Sequence, residues 1–77
     1  MVSAFVLIQC DMDKSAEVAS LIGEMPGVVT AEVVTGPYDV IARAEANDLD
    51  ELGKLVMSKM QMVAGITRTL SMPVVNI

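Results

Sequence analysis

The sequence predicts an α+β domain with elements in the order β-α-β-β-α-β. Two observations predict it. The apolar pattern alternates between a period near two and a period near 3.6, and the switches fall at Gly, Pro, Asn or Asp boundaries. The stretch Pro26 to Val34, "PGVVTAEVV", also aligns with Ala64 to Met72, "AGITRTLSM", each directly after a helix. The chain therefore reads as two β-α-β units in tandem.

Val2 to Gln9 is an apolar run rich in β-branched residues, as expected of a strand buried on both faces. After "CDMD", Val18, Leu21, Ile22 and Met25 recur at helical spacing, with Asp13 or Ser15 placed to cap the first turn. Pro26-Gly27 stops this helix.

From Val28 the period becomes two: Val29, Ala31 and Val33 point one way, and Thr30, Glu32 and Val34 the other. Beyond "TGPYD" (Thr35 to Asp39), Val40, Ala42, Ala44 and Ala46 alternate with Ile41, Arg43 and Glu45. A "GPYD" hairpin loop pairs Thr35 with Val40 and sets Glu32 opposite Arg43, so that opposite charges meet and the apolar faces coincide.

Asn47 closes that strand, and "DLDE" (Asp48 to Glu51) is an acidic capping box, with Glu51 able to reach back to the first amides. Leu49, Leu52, Val56, Met60 and Val63 form the apolar face of the second helix, with Lys54 and Lys59 on its exposed side. Gly65 ends it, and Ile66 to Val74 is the last strand. Right-handed β-α-β units in tandem give a four-stranded antiparallel sheet with both helices on one face, the ferredoxin-like sandwich.

One consequence concerns assembly. Phe5, Leu7, Val34, Ile41, Leu70 and Met72 cannot all turn toward the helices, so part of the second sheet face is apolar and wet in a monomer. A 77-residue chain that is 53% hydrophobic also exceeds what so small a body hides alone. Both point to a homodimer through the sheet faces.

Charge and composition exclude several functions. The net charge is −5, and the five cations, Lys14, Arg43, Lys54, Lys59 and Arg68, are scattered, which disfavours direct nucleic-acid binding. No apolar run reaches the roughly 18 residues that suggest a membrane span, and no signal-peptide pattern opens the chain, so a cytoplasmic protein is expected. There is no histidine, and the single Cys10 has no His partner. That removes nucleophilic dyads and triads and leaves no transition-metal set. "DMDKS" lacks the Gly and closing Glu of a calcium loop, and no Gly-rich loop opens a helix to cradle phosphate. The expectation is no cofactor, no metal and no enzymatic activity.

The turn "TGPYD" carries two open readings. In one, Gly36 supplies a permissive backbone, Pro37 stiffens the turn, Asp39 bonds nearby amides and Tyr38 covers the end of the core. In the other, the turn binds a zwitterion: free backbone amides take its carboxylate and Asp39 its ammonium.

"TGPYDVIARAEANDLDELGKLV", followed by "VAGITRTLSMPVV", resembles the effector-binding domain of the Lrp/AsnC family, also called the regulation of amino acid metabolism (RAM) module. The shared pattern is a Gly-x-Tyr/Phe-Asp turn, an acidic helix start and a Gly-Val/Ile strand carrying threonines. The resemblance covers essentially the whole chain. It implies a sheet-to-sheet dimer, dimers assembled into an octamer or decamer ring, and a small effector, usually an amino acid, bound between dimers. It carries Gly36, Tyr38 and Asp39 onto the ligand-contacting turn, with Thr67 and Thr69 as polar contributors from the last strand. The internal repeat aligns Thr67 with Val29 and Thr69 with Ala31, which turns both toward the helices and leaves sheet filler as their other reading.

Regulators of that family carry an N-terminal helix-turn-helix domain. Here the first strand begins at Val2, so a stand-alone ligand-binding domain over residues 1–77 is expected, with a DNA-binding paralogue as a partner. The alternatives are a purely structural interaction subunit without a ligand and an ACT-like amino-acid sensor of an enzyme. A dimeric α+β barrel enzyme is disfavoured by the missing acid-base groups and by Val2 where such an enzyme can carry a catalytic proline.

Overall fold

Two central strands carry the core, and two helices cover one side of them. The structure is a computed structural model and describes residues 1–76. Its elements are β1 (Val2–Cys10), α1 (Ser15–Gly23), β2 (Val28–Val33), β3 (Val40–Ala46), α2 (Leu49–Lys54) and β4 (Ile66–Pro73). The second helix continues past α2 as a π-wound segment, Leu55–Lys59, and ends in a 3-10 turn, Met60–Met62. The sheet is antiparallel in the order β2-β3-β1-β4, which is the ferredoxin-like α+β arrangement.

Strand alternation sends Ala4, Val6 and Ile8 of β1 and Val40, Ala42 and Ala44 of β3 toward the helices, where all six are buried. Val18, Ala19 and Ile22 of α1 and Leu52, Leu55, Val56 and Met60 of the second helix pack onto them. The three alanines at the sheet centre leave room for the helices to approach closely.

The opposite face carries Phe5, Leu7, Ile41, Leu70 and Met72, with Leu7 directly paired to Leu70 and Phe5 to Met72. β1 is therefore covered on one face only: Phe5 remains 39% exposed, Leu70 40% and Met72 45%. The Arg43 guanidinium lies 5.4 Å from the Phe5 ring centroid, a cation–π contact on this open face.

The tandem repeat is visible in the backbone. Gly27 (φ 95°) and Gly65 (φ 98°) each take the left-handed conformation at a helix-to-strand turn. Gly27 O accepts the Glu45 N–H at 2.7 Å, and Gly65 O accepts the Asp11 N–H at 2.8 Å. Two residues after each glycine the ladder slips by one: Val29 is the extra residue of β2 against β3, and Thr67 that of β4 against β1. The aligned positions of the repeat thus carry the same β-bulge.

Several sequence expectations are corrected. The β2–β3 register pairs Val33 with Val40 and Thr30 with Arg43, two residues from the expected pairing, so Glu32 faces Ile41 and the connection is Val34 to Asp39. A shift of two keeps every side chain on its face, which is why the apolar pattern did not reveal it. The bulge gives the core-facing place to Val28, half-buried against Ala44's side of the sheet, and leaves Val29 53% exposed. At the start of α1 the cap position is Lys14, without a side-chain cap; Asp13 takes a left-handed φ of 69°, and Ser15 is already helical. Leu21 and Leu49 are exposed, and Ala19 and Leu55 take the buried places. The acidic box at α2 forms as expected: Glu51 N–H donates to Asp48 Oδ1 at 2.8 Å, and Asn47 N–H donates to Glu51 Oε2 at 3.0 Å.

Candidate functional site

The turn between β2 and β3 is tied to the end of β1. β1 pairs with β3 only as far as Ile8 opposite Val40, because β3 begins there. Beyond it the chain of Val34 to Asp39 supplies the missing partners. Asp39 N–H donates to Ile8 O at 2.8 Å, and the Asp39 carboxylate Oδ2 accepts the Cys10 N–H at 2.9 Å. Gln9 Nε2 donates to Pro37 O at 2.9 Å, and Val34 N–H donates to Asp39 O at 2.9 Å across the turn. An unpaired amide in a partly buried place is costly, and a carboxylate acceptor is a strong answer to it.

Asp39 thus does what the structural reading of the turn required, with one oxygen. Among the described residues, Oδ1 and the Tyr38 hydroxyl enter no hydrogen bond, and both side chains are half-buried. Gly36 has a φ of 154°, and a Cβ there would meet nothing within 4 Å, so the tip of the turn is open. Cys10 Sγ lies 3.7 Å from Ser15 Oγ, partly buried rather than presented to solvent.

Thr69 sits opposite Ile8, which puts it on the helix side of the sheet, as the repeat predicted from Ala31. Its Oγ1 accepts a hydrogen bond from Gln61 Nε2 at 2.8 Å. Thr67 is exposed on the bulge, which breaks its strict alternation with Thr69. Together with Gln61, Ile66 and Arg68 the two threonines line a shallow cavity of about 210 Å³.

The five sequence-predicted residues therefore gather at one end of the sheet, but not in one cavity. Gly36, Tyr38 and Asp39 flank the Gln9–Cys10 end of β1 on the β3 side, and Thr67 and Thr69 flank it on the β4 side. One strand lies between the groups, a separation of roughly two strand spacings, ~10 Å.

Two features escaped the sequence reading. Gln61 orients Thr69, and the only signal was a lone amide at a helix end. A larger cavity of about 460 Å³ opens at the other end of the sheet, between the end of β3 and the second helix, and Lys54 and Lys59 line it. No helix among the described residues is long and apolar enough to cross a membrane.

The model of the Lrp/AsnC ligand binding domain matches residues 3–77. An uncharacterized HTH-type transcriptional regulator of Pyrococcus furiosus is 36% identical over 73 residues, covering 91% of this chain and 49% of the regulator. The chain spans about half the length of the curated relatives it matches. A Thermus thermophilus protein of known structure superposes with a TM-score of 0.94 at 31% identity, covering 100% of this chain and 96% of that one. A transcriptional regulator of Neisseria meningitidis, crystallised as its L-Met complex, shares the fold at a TM-score of 0.85 and 19% identity over 97% of this chain and 50% of that one. Matched by that family model along nearly its whole length, the chain belongs to the Lrp/AsnC ligand-binding-domain family.

Proposed function

We propose that this domain binds a small amino-acid-like effector and acts through assembly, modulating a DNA-binding relative of the same family. The observation that carries this reading is the spare chemistry at the β2–β3 turn. One Asp39 oxygen and the Tyr38 hydroxyl are uncommitted among the described residues, beside the open backbone of Gly36. A carboxylate suits an ammonium group, a phenol suits a carboxylate, and an open backbone tip lets a ligand approach. Gly36, Tyr38 and Asp39 form the primary contacts in this proposal, and Thr67 and Thr69 are secondary ones, since Thr69 already accepts from Gln61.

The apolar face of Phe5, Leu7, Ile41, Leu70 and Met72 supports the assembly half of the reading. A second copy laid on that face buries it, and further assembly of such dimers into an octamer or decamer encloses the shallow turn. A ligand at a subunit boundary then favours whichever assembled state binds it better.

A second reading rests on the Asp39–Cys10 bond, which makes the turn a structural clasp and the domain an interaction subunit without an effector. One experiment separates the two. Each of the twenty amino acids is tested for a thermal shift and for a change in sedimentation. The effector reading expects at least one amino acid to raise the melting temperature and change the assembly state. A well-folded protein that responds to none leaves only the structural reading.

A further inference from the structure

The open face of the sheet differs in charge from the rest of the molecule. Strand alternation places Glu32 of β2, Arg43 and Glu45 of β3 and Arg68 of β4 there, two residues of each sign, around the apolar side chains already described. The eight other acidic residues and three other basic ones lie on the helices, turns and loops, so the net charge of −5 is carried wholly outside this face. Two copies that meet helix side to helix side set like charge against like. Two open faces meet without net repulsion.

Arg43 is the cation nearest the middle of the face. It stands between Thr30 of β2 and Phe5 of β1, half-buried, with its guanidinium 5.4 Å from the Phe5 ring centroid. A ring face attracts the cation but does not accept its forked N–H donors as a carboxylate does. Lys14–Glu17 is the one ion pair within 4.0 Å among the described residues, so no carboxylate of the same chain engages Arg43 there. Glu32, opposite Ile41, lies one strand away and two residues along, and Glu45, opposite Ser3, lies two residues along β3 itself.

Covering the face makes that arrangement costly. An ion removed from water without a counter-charge is heavily penalised, so burial of Arg43 calls for an acceptor from whatever covers it. A second copy supplies one twice over, because in a two-fold contact the Glu that reaches Arg43 has its mirror in the other direction. An acidic partner would oppose Glu32 and Glu45, and a basic one Arg43 and Arg68.

We propose that Arg43 selects the partner on this face: its guanidinium, held against Phe5, pairs with Glu32 or Glu45 of a second copy of this chain. The inference rests on the sheet-to-sheet assembly proposed above and adds to it the recognition of like by like.

The test measures self-association of the 77-residue chain by sedimentation equilibrium. Arg43→Glu sets like charges together on both sides of the two-fold contact and weakens the pair at least about thirtyfold. Lys54→Glu makes the same change in net charge on the helix side and leaves association within about twofold of the parent's, since screening blunts distant repulsion. Mixed with Arg43→Glu, at least one of Glu32→Arg and Glu45→Arg re-forms a one-to-one pair, and the variant that does so identifies the carboxylate. Recovery in the mixture also establishes that Arg43→Glu is folded. The inference is overturned if Arg43→Glu pairs as tightly as the parent, if neither mixture recovers, or if Lys54→Glu loses as much as Arg43→Glu. A dimer that Leu7→Lys breaks and Arg43→Glu does not removes this inference alone. A parent that stays monomeric removes the assembly reading with it.

Discussion

The Asp39 carboxylate holds the Cys10 N–H at 2.9 Å, so the residue with the best chemistry for a ligand also fastens the end of β1. The two duties use different properties of one side chain: the fastening needs an acceptor oxygen, and the ammonium contact needs a charge. Asp39→Ala should destabilise the domain by about 1–2 kcal/mol by leaving a partly buried amide unpaired, and Asp39→Asn by less. Urea unfolding measures both. The amino-acid response should vanish in both variants; a full response in Asp39→Asn would remove the charge from the mechanism.

The two left-handed glycines should differ in what they tolerate. Gly65→Ala meets only the flexible Lys14 side chain, at 3.3 Å. Its cost is the backbone strain, about 1–2 kcal/mol. Gly27→Ala adds a 3.1 Å approach to the Glu45 carbonyl and a 3.2 Å approach to Leu55. It should be the more damaging of the pair by denaturant midpoint, and equal losses would contradict that packing.

Leu7 and Leu70 are direct partners on the open face. Leu7→Lys should leave the helix-side core untouched, since that core is formed by Ala4, Val6 and Ile8 of the same strand. In a two-fold interface the change occurs twice, and losing the burial of two leucines costs about 3–6 kcal/mol of association. Sedimentation velocity should show dimers of the parent replaced by monomers of the variant. A variant that still sediments with the parent would place the interface elsewhere.

Asp48 caps α2 through its bond to the Glu51 N–H. Asp48→Ala should cost about 1 kcal/mol, and Asp48→Ser should recover most of it. Thermal unfolding compares the three.

Element order and faces were legible because they rest on periodicity and punctuation. The pattern Val40-Ala42-Ala44 against Ile41-Arg43-Glu45 separates core from open face whatever its partner strand does. Pairing was less legible. The extra residues at Val29 and Thr67 leave local composition unchanged, and a register shifted by two preserves the sides. The π winding escaped because Leu52, Val56 and Met60 fit an ordinary α-helical spacing equally well. For the turn, Gly36, Pro37 and Asp39 announced a tight connection, but the Asp39–Cys10 bond joins residues 29 positions apart and depends on where β1 outruns β3. Lys54 and Lys59 are exposed, as their place on the outer side of the second helix predicted.

The strand order has a consequence for the two repeats. β1 lies between β3 and β4, and β2 pairs only with β3, so every rung of the ladder joins one repeat to the other and none lies within a repeat. Neither half can zip a sheet by itself. Severed at Gly36, the two pieces should be unfolded apart and regain structure only when mixed. A half-length peptide built this way would form a sheet only by intertwining with a second one.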